Sequence, residues 1–163
     1  MSRAFVREED DAPESLPELP LSPHPNFVTP QGLALLQARL LDAEQRLGTL
    51  NKEAVESSSV QAHLNRDIRW LRARIGQAIV RVPEQQPQDR VALGALVALE
   101  DDDGQHYHYR IVGEDEAAPE HGLISWVSPL ARALDGARVG DSIVWPRPAG
   151  DLPVEILSID YAR

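Results

Sequence analysis

From Leu33 the chain places apolar residues at alternating steps of three and four: Leu33, Leu36, Leu40, Ala43, Leu47, Leu50 and Ala54. That spacing is the a/d seam of a coiled coil and predicts a helix. Thr29 is its N-cap and Pro30 its first residue, where a missing N–H costs nothing. A helix from Pro30 to Glu53 would extend roughly 36 Å at 1.5 Å per residue, longer than a small core needs. After Glu56-Ser57-Ser58-Ser59 the seam resumes at Val60, Leu64, Ile68, Leu71, Ile75 and Ala78. The second helix is therefore predicted to fold back antiparallel on the first, giving a two-helix arm over residues 27–82. Arg66, Arg69 and Arg72 make a basic stripe beside the second seam.

Residues 83–90 carry two prolines and no periodicity, and read as a linker. From 91 to 163 the period changes. Val91 to Leu99 and His106 to Val112 read as strands around Asp101-Asp102-Asp103-Gly104, a hairpin turn. Leu123 to Val127 is a third strand. Ser128-Pro129 opens a short helix over Leu130 to Leu134, and Ser142 to Trp145 and Val154 to Ile159 complete the sheet. The predicted class is α+β: an antiparallel two-helix coiled coil, then a small antiparallel sheet domain with a short helix.

Charge sharpens this division. Residues 1–26, 27–82 and 83–163 carry net charges of −4, +3 and −9, so a basic arm is embedded in a protein of net charge −10. Such asymmetry orients encounters with a charged partner. The first segment holds five prolines among acidic residues and is expected to be a disordered tail. With no cysteine, thiolate metal sites, disulfides and a cysteine nucleophile are excluded, and a reducing cytoplasm is the expected location. No apolar run is long enough for a membrane span, and the N-terminus has no apolar signal core. An acidic C-terminal segment also argues against stable direct nucleic-acid binding.

Several stretches carry a family resemblance. Tyr109-Arg110-Ile111-Val112-Gly113-Glu114-Asp115-Glu116-Ala117, Ile124-Ser125, Ser128-Pro129-Leu130-Ala131-Arg132-Ala133-Leu134, Val139-Gly140-Asp141 and Pro148-Ala149-Gly150 resemble the C-terminal domain of the bacterial GreA/GreB transcript-cleavage factors. Thr29-Pro30-Gln31-Gly32 and Arg66-Asp67-Ile68-Arg69-Trp70-Leu71 extend the resemblance over the arm. It implies an FKBP-like C-terminal domain that docks on core RNA polymerase at the secondary channel, with the arm entering the channel. The docking residues it implies are Val127, Ser128, Pro129 and Leu130, with Leu130 expected as an exposed apolar anchor. Val127 departs from the family, which usually has Asn or Asp there.

A second departure lies at the arm tip. Cleavage-active members carry a Gly-Asp-Leu/Arg-x-Glu-Asn tip, whose two carboxylates help the polymerase hold a second Mg²⁺. No such motif exists here, and the arm looks shorter by about 9 residues, or roughly 13 Å, per helix. Glu53 and Glu56 are the candidate tip carboxylates, read as solvated charge. The expectation is a non-enzymatic elongation regulator that binds polymerase without stimulating cleavage and competes with a true Gre factor; the alternative is a diverged Gre-type module that regulates another protein. No cofactor or metal is expected. His106 and His108 share a strand face but lack a third ligand, and Asp101 to Gly104 lacks the alternating ligands of a calcium loop. An FKBP-like fold does not by itself carry prolyl isomerase activity.

Overall fold

The computed structural model describes residues 16–51 and 53–162. The N-terminal half of the expected tail lies outside the described residues. From Leu16 onward the chain is tied to the arm: Glu18 pairs with Arg69 at 2.6 Å, and Trp70 Nε1 donates to the Pro20 carbonyl at 3.2 Å. This part of the expected tail therefore has partners on the arm, the Arg69 guanidinium for its Glu18 carboxylate and the Trp70 indole N–H for a carbonyl left free by the absence of local secondary structure.

Strand β1 (Asn26–Val28) leads into helix α1 (Pro30–Gly48), and helix α2 (Ser57–Gly76) returns to strand β2 (Ala78–Val80). Thr29 caps α1, its Oγ1 accepting from the Gly32 N–H at 3.0 Å. The helices pack through the expected seam, with Leu36, Ala43, Ile68 and Leu71 buried and Leu40, Leu47, Leu64 and Ile75 flanking them. The seam breaks down at the tip. There α1 stops at Gly48 rather than Glu53, and Ala54 and Val60 are exposed. Glycine and the β-branched Thr49 weaken the helix at this end, where both are exposed. The second helix begins within the expected break and ends before Ala78, which joins β2 instead of the seam. The strands β1 and β2 are parallel neighbours, Phe27 opposite Ile79, so the hairpin is the crossover between them.

The C-terminal sheet contains β3 (Leu96–Asp101), β4 (His106–Val112), β5 (Leu123–Ser125), β6 (Ser142–Trp145) and β7 (Leu152–Asp160), in the order β5-β4-β3-β7-β6. It is mixed rather than purely antiparallel, because β5 runs parallel to β4, with Arg110 opposite Leu123. The first strand starts later than expected: Gly94 holds φ at +97° and breaks the extended run from Val91. At the hairpin, Asp101 Oδ1 accepts from the N–H groups of Asp103 and Gln105, a turn that Gly104 closes with φ +78°. Helix α3 (Pro129–Leu134) fills the concave face with Leu130, Ala131 and Leu134, against Val97, Leu99, Ile111, Val154 and Ile156. The sheet curls far enough for Trp145 of β6 to meet Tyr107 and Tyr109 of β4 edge to face, at 5.4 and 5.6 Å, across two intervening strands. No helix among the described residues is long and apolar enough to cross a membrane.

Candidate functional site

A buried cation lies at the joint between the arm and the C-terminal domain. Arg74, in the last turn of α2, is 1% exposed. Its Nε donates to Asp115 Oδ2 at 2.7 Å, and its Nη2 donates to Asn26 Oδ1 at 2.8 Å and lies 3.8 Å from Glu114 Oε2. Asn26 in turn donates from Nδ2 to the Arg74 carbonyl at 2.7 Å, which fixes β1 to the end of α2. The neighbouring acid, Glu116, accepts a 2.6 Å bond from Thr29 Oγ1, and Glu114 accepts one from Ser22 Oγ at 2.9 Å. The run Glu114-Asp115-Glu116 thus holds three segments: the chain before β1, the start of α1 and the end of α2.

Two glycines let these segments approach. A Cβ on Gly113 would lie 2.5 Å from the Phe27 carbonyl oxygen, and one on Gly32 would lie 2.8 Å from Glu116 Oε2. Because the neighbour of Gly113 is backbone, it cannot rotate away. Gly113→Ala is therefore expected to displace β1 and cost about 1–3 kcal/mol, measurable by urea denaturation. Gly32→Ala, which meets only a side-chain end, is expected to cost less; equal costs would rule out this explanation.

The residues singled out from sequence fall in three places. Ser128 turns inward and caps α3, accepting from the Ala131 N–H at 3.4 Å, while Pro129 is exposed and Val127 half-buried. Leu130 is 3% exposed within the core, so it is not the exposed anchor expected of it. The reason is helical geometry: Leu130, Ala131 and Leu134 form the single face that α3 turns toward the sheet. The basic stripe is largely paired, Arg69 with Glu18 and Arg72 with Glu44 at 3.0 Å, and Arg66 lies 3.6 Å from Asp67. The hydrogen bond from Arg69 holds the Glu18 carboxyl below its ordinary range, against a smaller opposing effect of desolvation. At the tip Glu53 and Glu56 are both exposed. On the neighbouring strands β3 and β4, Glu100 and His106 pair at 2.5 Å, and no group of three His, Asp or Glu among the described residues is placed so that it could hold a metal ion.

Comparison with known proteins places this architecture. The family model for the C-terminal domain of transcription elongation factor GreA/GreB matches residues 86–161. Transcription elongation factor GreA of Nautilia profundicola is 39% identical over 127 residues, which cover 76% of this chain and 78% of that protein. The chain belongs to the GreA/GreB family of transcription elongation factors. Transcription elongation factor GreB of Neisseria meningitidis serogroup B is 44% identical over 101 residues, or 61% of this chain; the match spans 62% of that relative's length. A solved structure described as prokaryotic transcription elongation factor GreA/GreB from Nitrosomonas europaea is similar over 83% of this chain and 98% of its own, at 23% identity and a TM-score of 0.42.

Within this Gre protein the family-model match contains the acidic half of the joint, Glu114 to Glu116, and begins after its basic half, Arg74. Sequence reasoning missed the pairing of the two halves. A signal was present in the opposite charges of the arm and C-terminal segments, but no local spacing connects residues 41 positions apart.

Proposed function

We propose that this Gre protein binds core RNA polymerase through its C-terminal domain at the secondary channel and regulates elongation without stimulating transcript cleavage. The observation that carries the second half is the tip. Helix α1 has 19 residues and spans about 28 Å at 1.5 Å per residue. Beyond it Glu53 and Glu56 stand exposed. Mg²⁺ binds hard oxygen ligands at roughly 2.1 Å in a demanding octahedron, so carboxylates that stop short of the polymerase active site cannot help hold it. In this reading the protein is not itself an enzyme, acts in the cytoplasm and blocks the channel entrance to a cleaving Gre factor. Exposed Pro129 beside Val127 is its docking surface. Val127, apolar where the family usually places Asn or Asp, favours a second reading in which the same surface regulates a different protein.

The test uses purified core polymerase and backtracked elongation complexes. The protein is expected to be retained on polymerase at physiological salt, to leave RNA cleavage at the factor-free rate, and to suppress cleavage by a true Gre factor when in excess. Robust cleavage that disappears in a Glu53→Ala, Glu56→Ala double variant would overturn the first reading. Absence of polymerase binding would leave the second.

A further inference from the structure

A cleft of about 410 Å³ lies between the base of the arm and the C-terminal domain. Phe27 of β1 and Arg81 just after β2 form one wall, Arg132 of α3 the other, and Leu93, Ile111 and Trp126 line the space between. The guanidinium of Arg81 sits 4.7 Å above the Phe27 ring. Neither Arg81 nor Arg132 makes an ion pair with a described residue, whereas Arg69, Arg72, Arg74 and Arg138 all do. Asp135 is the one carboxylate on the lining. The lining thus carries two guanidiniums against one carboxylate, a local surplus of positive charge in a protein of net charge −10.

We infer that this cleft binds an acidic, partly apolar peptide segment of a partner protein. An apolar side chain suits the aliphatic surface of Leu93 and Ile111, and a carboxylate suits the guanidiniums of Arg81 and Arg132 on the two walls. The rings favour a peptide over a nucleotide. A base needs an open aromatic face to stack on, but Arg81 covers Phe27, and Trp126 is met edge to face by both His24 and Phe27, at 5.8 and 5.1 Å. The volume falls within the usual range for a small-ligand site, enough for one or two side chains. Because its walls come from the arm base and from α3, an occupant would add to the contacts that Arg74, Thr29 and Phe27 already make between the two parts of the molecule. Neither Pro129 nor Val127 lines the cleft, and the inference does not depend on the polymerase reading.

The full chain, free of polymerase, is to be titrated with an acetylated and amidated aspartyl-leucyl-phenylalanyl-aspartate peptide and followed by ¹H–¹⁵N NMR. The expected result is a saturable shift of the Trp126 indole signal, absent with the analogue carrying lysine for aspartate. In an Arg81→Gln, Arg132→Gln variant with unchanged melting temperature, affinity is expected to fall about tenfold or more. Equal binding of both peptides, or unchanged affinity in the variant, would refute the inference. Saturable shifts with uridine monophosphate but none with the acidic peptide would refute it too, and would point to a nucleotide.

Discussion

Replacing Leu130 with Asp is expected to abolish cooperative folding of the C-terminal domain. The side chain is 3% exposed and packed among Val97, Leu99, Ile111, Leu134 and Ile156. Truncating such a leucine costs roughly 2–5 kcal/mol through lost burial and the cavity left behind, and a carboxylate placed there adds the cost of burying an unpaired charge. A loss above about 4 kcal/mol is a large share of the stability of a domain this small. Thermal unfolding by circular dichroism would show a broad or absent transition at the temperature where the wild-type chain melts sharply. Pro129→Ala is the companion variant. Its side chain is exposed, and its ring contributes only a preset φ at the first helical position, so it should shift the midpoint by no more than a few degrees. A Leu130→Asp protein that melts within about 4 °C of wild type would show that α3 can turn this residue outward, and would restore it as a docking candidate.

The contrast between Leu130 and Pro129 shows where sequence reasoning reaches its limit. The start of α3 was legible, because Ser128 and Pro129 form a capping signal whose chemistry is local. Which of its residues face the core was not, since a six-residue helix completes fewer than two turns and offers too little periodicity to define a stripe. The same reason separates the helices of the arm from its strands. The seam from Leu33 to Leu47 repeats often enough to predict both α1 and its need for a partner. By contrast, β1 and β2 have three residues each and pair across 52 positions of sequence, Asn26 with Ala78, so neither carries a signal of its own. Ala78 even continues the seam spacing, although it lies in β2. The parallel placement of β5 was hidden likewise, because strand direction depends on the path of the chain from Gly113 to Gly122 and not on the composition of Leu123 to Ser125.

Arg74 is the residue whose replacement should most change how the arm and C-terminal domain relate. As the last arginine of a helix that also carries Arg66, Arg69 and Arg72, it looks like one more solvated charge. It is instead the most enclosed of the four, and its partners come from two other segments, Asn26 before the arm and Glu114 and Asp115 after it. Arg74→Met retains much of the buried aliphatic volume but removes the guanidinium. Asp115 and Glu114 then keep their charges beside Glu116 with no cation among them, and Asn26 loses its donor. Breaking a buried ion pair from one side costs about 3–5 kcal/mol, mainly through the charge left behind. Removing both sides should cost less than the sum: an Arg74→Met, Asp115→Asn double variant is expected to recover at least about 1 kcal/mol relative to additivity. Arg74→Lys should fall between, because an ammonium cannot serve Asp115 and Asn26 from two separate nitrogens. Urea denaturation followed separately by Trp fluorescence and by far-ultraviolet circular dichroism would test this. The wild-type curves should coincide, and in Arg74→Met the two should part as the arm and the sheet lose their common transition. Coincident curves together with a loss below about 1 kcal/mol would mean that the contacts of Phe27, Gly32 and Gly113 hold the joint without the ion pair.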